Sequence, residues 1–139
     1  MPARVETRGR SRALQALYAW DLREHEDLDR ISALIWDDLE VAADERAFAT
    51  NLLHVVAAAG AALDAELADV TTNWRLERLG VIERCVLRLA AAELHEGLTP
   101  SRVVIQEAVR LAERFGSAQS AGFVNGVLDA LARRMGRLR

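Results

Sequence analysis

The chain has 139 residues, 51% of them apolar and 28% charged, a balance that excludes wholesale disorder and suits one domain with its own core. Its longest uncharged apolar stretch, residues 55–63, is too short to span a bilayer; the start shows no secretory-type run, and Cys85 is alone, so no internal disulfide forms and the cytoplasm is the expected address. The net charge of −3 hides an uneven layout: all 18 basic residues are arginine, residues 1–12 carry +3, residues 133–139 carry +4, and the stretch between carries −10.

Two basic ends around an acidic middle suit one anionic and one cationic partner; the plainer alternative is a solubilising surface with frayed ends. Proline occurs only at Pro2 and Pro100 and no alternating β-branched run reads as a strand, so the fold is expected to be all-α. A helix over 8–25 places Ala13, Leu17 and Trp20 on one side. At 100° per residue, Arg8, Arg12 and Gln15 fall within about 60° of one another on the opposite side. A second helix over 28–41 has Ile31, Leu34, Ile35 and Leu39 as its stripe. Asp44 is placed to cap a third, running to about residue 70, with Phe48, Leu52, Val55, Val56, Ala59 and Leu63 at core spacing.

After a Thr-Thr-Asn break at 71–73, residues 74–79 read as a short helical turn ended by Gly80. Helix 81–96 turns Ile82, Val86 and Leu89 inward and closes on a left-handed Gly97. Thr99 and Pro100 open helix 100–115, which buries Val104, Ala108 and Leu111 and stops at Gly116. Ser120 is expected to cap a last helix, about 121–135, with Val124, Val127, Leu128 and Leu131 apolar. Gly126 within it reads as a point where another helix comes close. Short connections argue for bundles rather than a solenoid, and no repeat is present.

Catalytic constellations are poor. His25, His54 and His95 fall on three different helices without ligand spacing, and no phosphate-cradling glycine loop or nucleophile elbow occurs. Cys85 shares the apolar arc of Ile82 and Val86, which suits an inert buried thiol. Glu93 continues that arc into the core, where a carboxylate needs an arginine or a helix N-terminus as partner. No enzyme activity, metal or cofactor is expected. Binding features are richer. Arg8, Arg12 and Gln15, with Arg4 and Arg10 nearby, can present guanidinium forks to phosphate oxygens. Tyr18 sits at the rim of the Trp20 face, suited to an interface or to core-edge packing, and Phe123 either stacks on a base or plugs the core.

Three blocks carry a resemblance. The run R-A-L-Q-A-L-Y-A-W from Arg12 to Trp20 resembles the first helix of the NusB family of bacterial antitermination factors. R-L-E-R-L-G-V-I-E-R from Arg75 to Arg84, followed by Val86-Leu87-Arg88-Leu89 and Glu93-Leu94, resembles its central signature. V-V-I-Q-E-A-V-R-L-A from Val103, then F-G-x-x-x-S and F-V-N-G-V-L, resembles the remainder. Together the blocks reach from one end of the chain to the other.

The resemblance implies about seven helices in two three-helix bundles packed roughly perpendicular, here about 8–70 and about 74–135. It implies binding of single-stranded boxA RNA from ribosomal RNA leaders together with NusE, a small-subunit ribosomal protein, within an antitermination complex of RNA polymerase. The family's RNA contacts carry over to Arg8, Arg10, Arg12, Gln15 and Phe123, and its NusE-facing surface to Tyr18, Leu22, Glu77 and Glu83. A homodimer stays open, and no membrane association is implied. The alternative is a NusB-like scaffold module of an RNA-modifying methyltransferase. The chain departs from the family pattern in Gly9, which interrupts a thin basic start, in Gln106 where asparagine is common, and in Gln119 where an acid is common.

Overall fold

A computed structural model describes residues 4–23, 26–71 and 79–138, and among these residues there are six α-helices and no strand. They are α1 (Val5–Leu22), α2 (Leu28–Asp38), α3 (Ala43–Val70), α4 (Val81–Glu96), α5 (Ser101–Phe115) and α6 (Ala118–Arg134). The all-α expectation holds. The helical turn expected over 74–79 falls almost wholly outside the described residues, as do His25 and Glu77.

The helix ends follow local chemistry, in places one turn away from the expected residue. Asp27 caps α2 by accepting from the Asp29 N–H at 3.1 Å. Asp44 does not cap α3: Ala42 holds that position, and Asp44 lies within the first turn, accepting from the Glu45 N–H at 2.8 Å. Ser117, not Ser120, caps α6, accepting from the Ser120 N–H at 3.1 Å, and this turns Ser120 inward to a buried position. Pro100 precedes α5 with no side-chain cap. Gly97 closes α4 at φ +69°, as its place after Glu96 implied.

The core is centred on α4, which packs against α1, α3, α5 and α6. Nine of its residues between Cys85 and Leu94 are buried, on every side of the helix, which is the pattern of an element enclosed by others. On one side α1 packs against α2 and α3, and on the other α5 packs against α6. Truncating Leu87 or Leu94 to alanine would cost about 2–5 kcal/mol from lost burial and the cavity left behind.

Two expectations about contacts are corrected. The stripe of α2 is Leu28, Ile31, Ser32 and Trp36, while Leu34 is 57% and Leu39 45% exposed. Leu34 sits about 130° from the centre of that arc, and Leu39 follows the last helical residue. Close helix approach occurs at Gly9 rather than Gly126. A Cβ on Gly9 would lie 2.8 Å from Phe48 Cδ1 and 3.3 Å from the Glu45 carbonyl oxygen, whereas one on Gly126 would meet nothing within 4 Å. The glycine that interrupts the basic start is what lets α1 lie against α3.

Candidate nucleic-acid interface

α1 carries its arginines on two different faces. Arg8 and Arg12 are partly exposed and both lean on Glu45 of α3: Arg8 Nε donates to Glu45 Oε2 at 2.9 Å, and Arg12 Nε stands 3.5 Å from Glu45 Oε1. The second contact is an ion pair too long for a hydrogen bond, so Arg12 Nε and Glu45 Oε1 are buried without hydrogen-bond partners among the described residues. Arg12 Nη1 donates to Gln15 Oε1 at 3.2 Å, one turn along, so Arg8, Arg12 and Gln15 form one contiguous surface. The Glu45 side chain is only 9% exposed. The trio of two guanidinium groups and one carboxylate keeps a net positive charge facing outward.

Arg10 points the other way. It is 6% exposed, donates to both oxygens of Glu93 at 2.8 and 2.5 Å, reaches Glu107 Oε1 at 3.2 Å, and lies 5.1 Å over the Phe48 ring. Burial alone would lower its pKa, but the hydrogen bond and charge of Glu93, with Glu107 and Glu6, leave it above the ordinary arginine value. Arg10 therefore drops out of the phosphate-facing set and becomes the partner that the buried Glu93 required. Thr7 Oγ1 adds a 2.5 Å bond to Glu107 from the same helix. Two sequence expectations, a surface arginine and a core carboxylate in need of a cation, thus resolve into one buried pair.

The opposite end of α1 offers an apolar surface. Tyr18 is 38% and Leu22 59% exposed, one turn apart. Between them Asp21 accepts from Arg84 at 2.8 Å and from Arg88 at 3.2 Å, and Arg88 also forks onto Asp64 at 2.8 and 2.9 Å. That network ties α1 to α4 and α3 and fixes how Tyr18 and Leu22 are presented. Glu83 is half-buried and accepts from the Ser120 hydroxyl, joining the first turn of α4 to α6. Its carboxylate is thus committed to a tie between helices rather than wholly presented to a partner. Phe123 is partly buried and packs on the core, without being enclosed by it. Cys85 is fully buried, and burial pushes its thiol up to about 12, as an inert core residue requires.

Residues 7–133 match the model of the NusB family. This chain belongs to the NusB family. A transcription antitermination protein NusB of Anaeromyxobacter dehalogenans is 43% identical, with 91% of this chain and 89% of the relative covered. One of Sorangium cellulosum is 41% identical over 94% and 93%. Among solved structures, T. maritima NusB superposes with a TM-score of 0.86 at 33% identity, covering 96% and 93% of the two chains. A crystal structure of antitermination factors NusB and NusE in complex with dsRNA gives a TM-score of 0.85 at 26% identity, over 96% and 99%.

Within this NusB-family chain, reading the sequence did not single out Glu45 or Glu107, the two carboxylates that sort the arginines of α1 into inward and outward groups. Glu45 lies one residue after the supposed cap Asp44, and Glu107 lies one residue before the buried Ala108. Only Glu107 sits beside a position that the apolar spacing marks as buried; Glu45 lies one turn before Phe48, the first residue of the apolar stripe in its own helix.

Proposed function

We propose that this protein is a transcription antitermination factor that binds the boxA element of ribosomal RNA leader transcripts jointly with NusE, in the cytoplasm and without catalysis of its own. The observation that carries the reading is family membership over residues 7–133, joined to the likeness to a solved NusB–NusE–dsRNA complex. The names of the curated relatives favour this over a methyltransferase-associated scaffold. Arg8, Arg12 and Gln15 supply the RNA surface, with Phe123 available for a base. Tyr18 and Leu22 supply the protein surface; Glu77 and Glu83 add negative charge suited to a basic ribosomal protein. Guanidinium–phosphate contacts do not require base pairing, so the same surface serves duplex and single-stranded RNA. Division of labour between a first bundle of α1–α3 and a second of α4–α6 belongs to the same reading.

Few phosphate contacts are marginal at physiological salt, so RNA alone should bind weakly and NusE should tighten it markedly. Titrating boxA RNA into the protein with and without purified NusE tests this, with the mass of the complex followed in parallel. Equal affinity in the two titrations would count against joint binding.

A further inference from the structure

The basic tail of the chain has no part in the reading above, and over residues 133–138 it is held in place. α6 closes through a left-handed Gly136 at φ +72°, with Gly136 N–H donating to the Arg133 carbonyl at 3.0 Å and Arg137 N–H to the Ala132 carbonyl at 2.9 Å. This closure folds Arg137 back over Gly97, where a Cβ would collide with its guanidinium. Arg102, at the start of α5, lines the same cleft of about 680 Å³, with Leu98 on its wall at 82% exposure and no carboxylate among the lining residues. Arg133 and Arg134 are paired with Asp129 and Asp69, but among the described residues Arg102 and Arg137 make no ion pair. A groove of about 410 Å³ continues from Arg102 between α5 and α6, past Gln106, Asn125 and the Asp129–Arg133 ion pair.

Two guanidinium groups held in one cleft without an acid repel each other, and an anion relieves that repulsion. We propose that this cleft and groove bind the phosphodiester backbone of the RNA flanking the element held by α1. The inference rests on the RNA-binding reading and extends it to a second stretch of the same strand. RNA is favoured over an acidic peptide by continuity. Glu107, the neighbour of Gln106, accepts from Thr7 and Arg10 on the far side of α1 from Arg8 and Arg12, so a strand leaving the Arg8–Arg12 surface passes α1 and α5, about two helix widths or some 20–24 Å, before reaching the groove, a span that a few flanking nucleotides cover. The amides of Gln106 and Asn125 can meet base edges, and exposed Leu98 offers an apolar surface to a base face.

The test compares a boxA RNA of about 12 nucleotides with the same element extended on both sides to about 24, a length that outruns one small binding site. Both are titrated with NusE present, at several salt concentrations, into wild type and an Arg102→Gln/Arg137→Gln variant whose melting curve matches wild type. The variant should bind the short RNA normally, lose about 5- to 10-fold on the long RNA, and flatten its salt slope by about 1.4, two single-strand contacts' worth. Arg102→Lys/Arg137→Lys should keep the slope. Equal losses on both RNAs, or none on either, overturn the proposal while leaving joint binding to boxA intact. Tighter binding of polyglutamate than of the extended RNA, lost in the variant, also overturns it. Wild type that binds neither RNA overturns the parent reading as well.

Discussion

The arginines of the two chain ends are held in opposite ways. At the start, the helix delivers Arg8, Arg10 and Arg12 to carboxylates on other helices: Glu45 takes two of them and Glu93 with Glu107 the third. At the end, Arg133 and Arg134 pair with Asp129 and Asp69, while Arg137 shares with Arg102 of α5 a cleft that has no acid among its lining residues. Both ends are basic in sequence, yet the first commits its arginines to carboxylates of other helices, whereas the second leaves Arg137 without an ion pair among the described residues. Arginine count along the chain therefore says little about charge available to a ligand; which carboxylates the fold brings within 4 Å decides it.

The strongest test of that contrast is Arg10. Replacing it with alanine leaves Glu93 buried and uncompensated, with Glu107 beside it, and should cost about 3–5 kcal/mol of stability in urea unfolding. RNA affinity of the fraction that stays folded should change little. A variant as stable as wild type would return Arg10 to the surface set.

Next in size is the outward face. Removing Arg8 and Arg12 alone would strand Glu45, so the informative variant is Arg8→Gln/Arg12→Gln/Glu45→Gln, which keeps hydrogen-bonding groups in place and removes all three charges. Its salt slope for boxA RNA should flatten by about 0.7 to 1.4, one to two single-strand contacts' worth. An unaltered slope would place the RNA path away from α1.

The helices and most of the core were legible because they rest on local rules: the apolar spacing that buried Leu52, Val86, Leu111 and Leu128 needs no knowledge of neighbours. Cap positions were less so, since Asp44, Ser117 and Ser120 are all chemically able to cap and only backbone geometry chooses. The face carried by Arg8, Arg12 and Gln15 was visible from helical spacing; Tyr18 and Leu22, assigned to a protein surface by family resemblance alone, are exposed. The fate of Arg10 was not visible. Its partners are 83 and 97 residues away, and only the packing of α4 and α5 against α1 brings them there. The Glu83–Ser120 tie was hidden for the same reason, being a contact between helices 37 residues apart in sequence.

The smallest effect sharpens the contrast most. Glu45 either orients Arg8 and Arg12 for phosphate or competes with phosphate for them. Its geometry argues for competition. Glu45 Oε2 holds Arg8 Nε at 2.9 Å, but Oε1 stands 3.5 Å from Arg12 Nε and leaves both of those atoms without hydrogen bonds among the described residues, which is poor orientation of Arg12, while the carboxylate's charge offsets one of the two guanidinium groups. Glu45→Gln on its own should thus tighten boxA RNA a few-fold and steepen the salt slope by about 0.7, the share of one additional single-strand phosphate contact. Weaker binding with a flatter slope would make Glu45 a positioning residue. In that case the two ends of the chain would be alike in presenting arginine to RNA, differing only in whether a carboxylate holds it there.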